Sequence, residues 1–272
     1  MRLLRIVVII LFIAVSVVFG GMYVENVIMA DETIPVITID SDILEVSLDA
    51  GDEEFLKGVT AYDEKDKDIT DRIIVESVSN FIDEGVCKVT YAVCDNDNHV
   101  AKKSRKIKYV DYTSPRFSLN ESTCYSIYER INLAGVIGAY DCIDGDITKQ
   151  VIMTSENYTK SVAGVFSVTA TVTNKKGDVS TIELPLIVED RELSAPVVEL
   201  KNYLVYLDVG SKLNLPGLIV SATDSKGNNL RSSVKIEHDI NTSKEGVYTA
   251  HYYATDKDGL RGHTILTVVV EN

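Results

Sequence analysis

After its first thirty residues the chain is dominated by alternation of apolar and polar positions with a period of two. Behind a glycine, one strand face reads Cys87, Val89, Tyr91, Val93; later Phe166, Val168, Ala170, Val172; later still Tyr248, Ala250, Tyr252, Ala254. The opposite faces are mostly Thr, Ser, Lys and His. This period marks strands with one face on a core and the other in water. Closing strands follow as RKIKYV, ELPLIV and LTVVV. The middle one carries Pro185, which cannot donate to a ladder and so belongs at an edge or a bulge. No segment after residue 30 reads as a long amphipathic helix.

The alternation belongs to a repeat with a period of about 80 residues. With Ala61, Ala139 and Ala222 in register, Asp63, Asp141 and Asp224 follow two positions on, and Ile69, Ile147 and Leu230 eight positions on. EGVCKVTYAVCDNDN from Glu84, AGVFSVTATVTNKKG from Ala163 and EGVYTAHYYATDKDG from Glu245 then align without a gap. Pro35, Pro115 and Pro196 each open a short β-type run. Gly85, Gly164 and Gly246 stand in the turn before the core strand, where a positive φ would make Gly164→Val destabilising. The expected fold is all-β: three tandem immunoglobulin-like β-sandwiches over 33–112, 113–192 and 193–272. Short links at Asp111–Pro115 and Asp190–Pro196 predict a semi-rigid string.

The first segment obeys different rules. Ile6 to Val24 is a run of nineteen residues without a charge, enough to cross a hydrocarbon core as a helix. Arg2 and Arg5 precede it and acids follow, so residues 1–30 read as a short cytoplasmic tail and transmembrane signal-anchor, with the remainder outside. Cleavage near Val18-Phe19-Gly20 is the alternative, which would release a secreted protein. The apolar run continues through Met22, Tyr23 and Val24, which favours the anchor. With no sorting signal after Asn272, retention is expected to rest on residues 6 to 24.

The pattern P-x-I-x-(I/L), then A-x-D-x-x-D-G-D-I-T, then x-G-x-(Y/F)-x-V-x-Y-x-V-x-D-x-x-G-N resembles the bacterial surface immunoglobulin-like family over about residues 33 to 272. Asp141, Asp144, Gly145, Asp146, Ile147 and Thr148 match it in the second copy. The first copy has Lys67 in place of the glycine, and the third reads DSKGNNL from Asp224, losing two of three acids. The resemblance implies fold and surface location, and no single activity.

The acidic loops admit two readings. Asp63, Asp66, Asp68 and Asp95 in the first copy, with Asp97, and Asp141, Asp144, Asp146 and Asn174 in the second, could supply the six to eight oxygens of calcium at one pole of a sandwich. Alternatively the carboxylates accept backbone N–H groups two residues on and build Asx-turns, with Gly145 and Gly259 at positive φ. The third copy keeps its strands with half the acids, and the spacing fails the EF-hand pattern. Turn formation is therefore the reading adopted, and no cofactor is expected.

Cys87, Cys94, Cys124 and Cys142 lie in the exported part, where disulfides persist. Cys87 and Cys94 stand on one strand about 23 Å apart and cannot pair. Cys87–Cys124 with Cys94–Cys142, Cys87–Cys142 with Cys94–Cys124, and no bridge remain. The third copy has no cysteine, so structural thiols are expected ahead of a bridge, and a zinc site comes last. His99, His238, His251 and His263 lack metal spacing and are expected to be solvated or hydrogen-bonded. The sequons at Asn120, Asn157 and Asn241 compare with about two expected by chance and decide nothing.

A formal charge of −14 argues against nucleic acid as a partner, and none is expected. Nucleophile-elbow, H-E-x-x-H and phosphate-loop motifs are missing, so no enzyme is expected. The expected function is adhesion, binding or spacing at a bacterial surface, engaging an unknown protein or glycan. The alternative is a secreted carbohydrate- or cell-wall-binding module set. The lack of Trp weighs against sugar stacking, and most Tyr residues, Tyr253 apart, fall at core positions.

Overall fold

The structure, a computed structural model, describes residues 2–29, 33–156 and 162–272. The sequon at Asn157 lies outside the described residues. Helix α1 spans Arg2–Met29 and contains the Arg5–Val24 stretch, long and apolar enough to cross a membrane. Its side chains from Ile6 to Val24 are almost all exposed, as an apolar helix with no protein partner requires.

The chain divides into two compact units, Met1–Ile82 with Val86–Val110, and Asp83–Gly85 with Asp111–Asn272. In the first unit the strands are β1 (Val36–Ile39), β2 (Ile43–Val46), β3 (Val59–Asp63), β4 (Lys67–Asp68), β5 (Ile74–Val78), β6 (Val86–Cys94) and β7 (Val100–Tyr109). One sheet has the order β1-β3-β4 and the other β2-β7-β6-β5. The chain leaves the first sheet after Ile39 and enters the second as β2. There β2 pairs parallel with β7, while the other pairings are antiparallel.

That topology recurs twice in the second unit. Strands β8 (Arg116–Leu119), β9 (Cys124–Ser126), β10 (Ile137–Asp141), β11 (Gly145–Asp146), β12 (Ile152–Glu156), β13 (Gly164–Thr173) and β14 (Val179–Glu189) form sheets β11-β10-β8 and β12-β13-β14-β9. Strands β15 (Val197–Leu200), β16 (Leu204–Asp208), β17 (Ile219–Thr223), β18 (Lys235–His238), β19 (Gly246–Thr255) and β20 (Arg261–Glu271) form β15-β17 and β16-β20-β19-β18. Again β9 runs parallel to β14, and β16 to β20. Pro185 lies where β14 has β13 as its neighbour and β9 has not yet joined, at Ile187.

Each pair of sheets closes on an apolar core, and Leu204 of β16 joins the second. Val89, Tyr91 and Ile107 meet Ile37, Val59 and Ile69 in the first. Val168, Ala170 and Leu184 meet Phe117, Ile137 and Ile147 in the second, and Ala250, Tyr252 and Leu266 meet Val198, Leu200 and Ala222 in the third. These are the positions set by the period of two. Each fully buried Val, Leu or Ile contributes about 1.5–3 kcal/mol, which sets the register.

Three features depart from the expectation. The Asp190–Pro196 link runs inside the second compact unit. Strand β20 is buried on both faces from Gly262 to Val268, because its outer face packs on the outer face of β9 and β14 through Ile265, Cys124 and Ile187. Gly164 is the first residue of β13, opposite Val188, and keeps a negative φ, unlike Gly85 at 63°.

Candidate functional site

The eight candidate calcium ligands are all engaged as hydrogen-bonding side chains. Asp63, on the end of β3, accepts the N–H groups of Lys65 and Asp66 on one oxygen, each at 2.9 Å. Asp141 does the same for Ile143 and Asp144 at 2.9 and 2.8 Å, and its second oxygen takes Asn174 Nδ2 at 3.1 Å. Asp68 and Asp146 each accept the N–H of the threonine two residues on. Asp95 accepts Asp97 and His99 N–H and meets His99 Nδ1 at 2.9 Å. Asn174 accepts Lys176 and Asp178 N–H, both at 3.0 Å.

Two of the acids tie loops together. Asp66 takes the Asn96 N–H and side-chain amide, each at 2.7 Å, so the loop after β3 is fastened to the loop after β6. Asp144 takes the Lys175 N–H at 2.7 Å and pairs with Lys175 Nζ at 2.8 Å in the second copy. Gly227 stands at that place in the third copy, where Lys226 and Asp258 pair instead at 2.5 Å.

Such bonds hold the carboxyls of Asp63, Asp68, Asp95, Asp144 and Asp146 below the usual aspartate range. The Asp66 N–H is the largest cause for Asp63, and the Thr148 side chain for Asp146. At Asp144, burial pushes the other way and is outweighed by Lys175. The loops turn through positive φ at Gly145 (71°) and Gly259 (85°), as expected, and at Lys67 (69°) and Asn98 (71°), where no glycine is present.

A second constellation lies inside the second compact unit and had no sequence signature. His263 on β20 is buried; its Nδ1 stands 2.7 Å from Glu189 Oε1 at the end of β14 and 3.3 Å from Cys124 Sγ on β9. Its Nε2 meets His251 Nδ1 at 3.0 Å. Among the described residues, Cys124, Glu189 and His263 are the one group of His, Cys, Asp and Glu whose ligand atoms come within 4.8 Å of one another.

The surroundings are polar and specific. Arg191 donates to the His263 carbonyl at 3.1 Å and pairs with Glu129 at 3.6 Å. Tyr253 stacks on His263 at 4.4 Å, with the Arg261 guanidinium 3.7 Å from its ring centre. Arg191, Tyr253, Arg261, Glu189 and His263 line a cavity of about 520 Å³. The His263 hydrogen bond lowers the Glu189 carboxyl, and burial pushes the Cys124 thiol up to about 12. Burial, then His263, lowers His251.

All four cysteines are thiols, Cys87 and Cys124 buried, Cys94 and Cys142 exposed. The signal that could have located this cluster is the hairpin register. Tyr253 pairs with His263 and His251 with Ile265, which puts both histidines on one face of adjacent strands.

Crossed-over sheets closing on apolar cores, with Asx-turn loops after β3 and β10, define an immunoglobulin-like β protein. The chain belongs to the family described as bacterial surface protein, Ig-like domain, whose profile matches residues 37–109 and 202–270. It is 32% identical over 146 residues to the pesticidal crystal protein Cry22Aa of Bacillus thuringiensis, covering 53% of this chain and 19% of the relative. Internalin I of Listeria monocytogenes is 26% identical over 279 residues, covering 94% of this chain and 16% of the relative. The chain thus spans less than a fifth of the length of the curated relatives it matches. A solved structure of the M60 catalytic domain with two CBM51 domains, from Clostridium perfringens ZmpB, is 17% identical, covering 89% of this chain and 31% of that one, at a TM-score of 0.25.

Proposed function

We propose that this protein is a non-enzymatic surface element of a bacterium: three immunoglobulin-like modules, over 33–112, 113–192 and 193–272, held at the membrane by α1. The observation that carries the reading is the threefold return of one strand topology behind an apolar helix. Modules of this kind project a binding surface away from the bilayer. Partner contact then falls to loops and to edge strands such as β5, β12 and β18, which can accept an added strand. The loop acids act as turn formers and loop ties, each accepting an N–H group on at least one oxygen.

The test is fractionation of cells expressing the full chain. The protein should stay with the membrane, and protease added to intact cells should remove everything after α1. Deletion of Ile6–Val24 should abolish surface exposure. A shortened form in the medium would replace the anchored reading by the secreted one.

A second reading, glycan binding, draws support from Tyr62 and Tyr140. These occupy the same place in the first two copies and are 53% and 63% exposed. Exposed tyrosines of this kind offer flat faces to sugar rings. Tyr62→Ala and Tyr140→Ala should then abolish retention on a glycan array while leaving the melting curve unchanged.

A further inference from the structure

Cys124, Glu189 and His263 come from three strands that are distant in the chain, yet their ligand atoms converge within 4.8 Å. One sulfur, one imidazole nitrogen and one carboxylate oxygen form a donor set suited to a borderline-soft divalent ion. We propose that they form a zinc-class metal site, Cys124 Sγ, His263 Nδ1 and Glu189 Oε1 being three ligands and solvent from the adjoining cavity the fourth.

Four observations support it. The first is the orientation of His263. With a metal on Nδ1, beside the sulfur and the carboxylate, the ring proton would stand on Nε2, 3.0 Å from His251 Nδ1, the outer hydrogen bond that a metal-bound histidine makes. The second is charge. Arg191, which lines the same cavity, is engaged by the His263 carbonyl and Glu129 and makes no ion pair with Glu189 among the described residues. The third is burial. The sulfur and the imidazole are shielded, whereas Glu189 is 34% exposed and its cavity gives an ion a route in.

The fourth is that the module does not need His263. By the hairpin pairings, His263 opposite Tyr253 corresponds to Thr181 opposite Thr171 and to Lys102 opposite Ala92. The sheets form with threonine or lysine at that place. His263 is therefore an addition to the repeat, placed where β9 and β14 pack on β20.

Binding is balanced by one proton. The Cys124 thiol gives up its hydrogen to solvent as the sulfur–metal bond forms, and the ring proton that His263 Nδ1 holds toward Glu189 moves to Nε2, so that the neutral imidazole and the carboxylate donate lone pairs without further loss. Tightening the set brings together strands belonging to two separate cores, so the metal fastens the second unit internally. This goes beyond the proposed surface role and does not depend on it.

The test uses the full chain in detergent with a phosphine reductant, freed of metal by chelation, and Co2+ as the probe. One cobalt per chain should bind with a thiolate-to-metal charge-transfer band, and Zn2+ should displace it. Cys124→Ser should remove the band, Glu189→Gln should weaken it, and Cys94→Ser should leave it intact. His251→Gln should weaken binding by about 10- to 100-fold, as loss of an outer hydrogen bond does. A folded wild-type chain with no charge-transfer band overturns the proposal, as does a band that survives Cys124→Ser. The wild-type spectrum alone decides even where a variant fails to fold. Membrane retention and surface exposure are read separately, so this result and the proposed function can fail independently.

Discussion

Glu189 and His263, 74 positions apart in the chain, stand 2.7 Å from one another, with the imidazole buried and the carboxylate partly in water. Because a third of the Glu189 side chain is solvated, the pair is worth less than a fully buried one. Glu189→Gln is expected to cost about 1 kcal/mol, after discounting for screening. Urea unfolding of the full chain in chelator measures it, and an unchanged midpoint would show that the contact adds nothing without metal.

Gly262 gives a steric counterpart at the start of β20. A Cβ placed there would stand 1.7 Å from the Pro196 carbonyl oxygen, and backbone cannot swing aside as a long side chain can. Gly262→Ala should destabilise the second unit by at least the roughly 1–3 kcal/mol of a crowded core substitution. Thermal melting with a probe in that unit checks it.

The first unit contains a buried cation absent from the sequence reading. Arg105, 4% exposed on β7, donates to Tyr91 Oη at 2.8 Å and to the carbonyls of Phe55 and Lys57. Arg105→Met removes these three hydrogen bonds, strands the Lys57 carbonyl and leaves the Phe55 carbonyl with Tyr91 Oη, at a cost of about 2–4 kcal/mol. Tyr91→Phe should cost less, about 1 kcal/mol, because it removes one donor to Phe55 and one acceptor. If the two variants melt alike, the guanidinium does not organise that corner.

Lys67 and Gly145 hold the same loop position at φ 69° and 71°. A lysine there carries strain that glycine lacks, so Lys67→Gly should stabilise the first unit by about 0.5–1 kcal/mol, while Gly145→Ala should lose a similar amount in the second. Opposite shifts in melting temperature are the expected result, and shifts of one sign would refute the shared strain.

Acid should weaken both units. Asp63, Asp68, Asp146 and Asp224 have folded pKa values lowered by hydrogen bonds, so their contribution is complete above the unfolded value of about 3.9. It is lost as pH falls through the lower folded values. The melting temperature should be level from neutrality to about pH 5 and drop below about pH 4. A level curve down to pH 3 would exclude these acids as stabilising turn formers.

Much of the fold was legible because strands write their buried face into every second residue. Val89, Val168 and Ala250 were placed in cores on period alone, and all three are buried. The acid loops were equally readable, since an Asx-turn is built by local atoms. What period could not disclose is contact between outer faces. His263 and Cys124 sit on faces that the pattern assigned to water, or left unassigned, and packing between distant strands buries them. Arg105 escaped notice for a related reason: a lone charge inside a basic closing strand looks like its exposed neighbours.

The parallel pairing of β9 with β14, and of its counterparts β2 with β7 and β16 with β20, bears on mechanical load. The earlier strand of each pair connects toward the chain's start and the later one toward its end, so tension drags the two past each other along their length. Hydrogen bonds loaded that way share the force and yield together, whereas a hairpin pulled from its open end unzips one bond at a time. A chain tugged between a membrane and whatever it holds would meet its stiffest resistance at these short parallel seams.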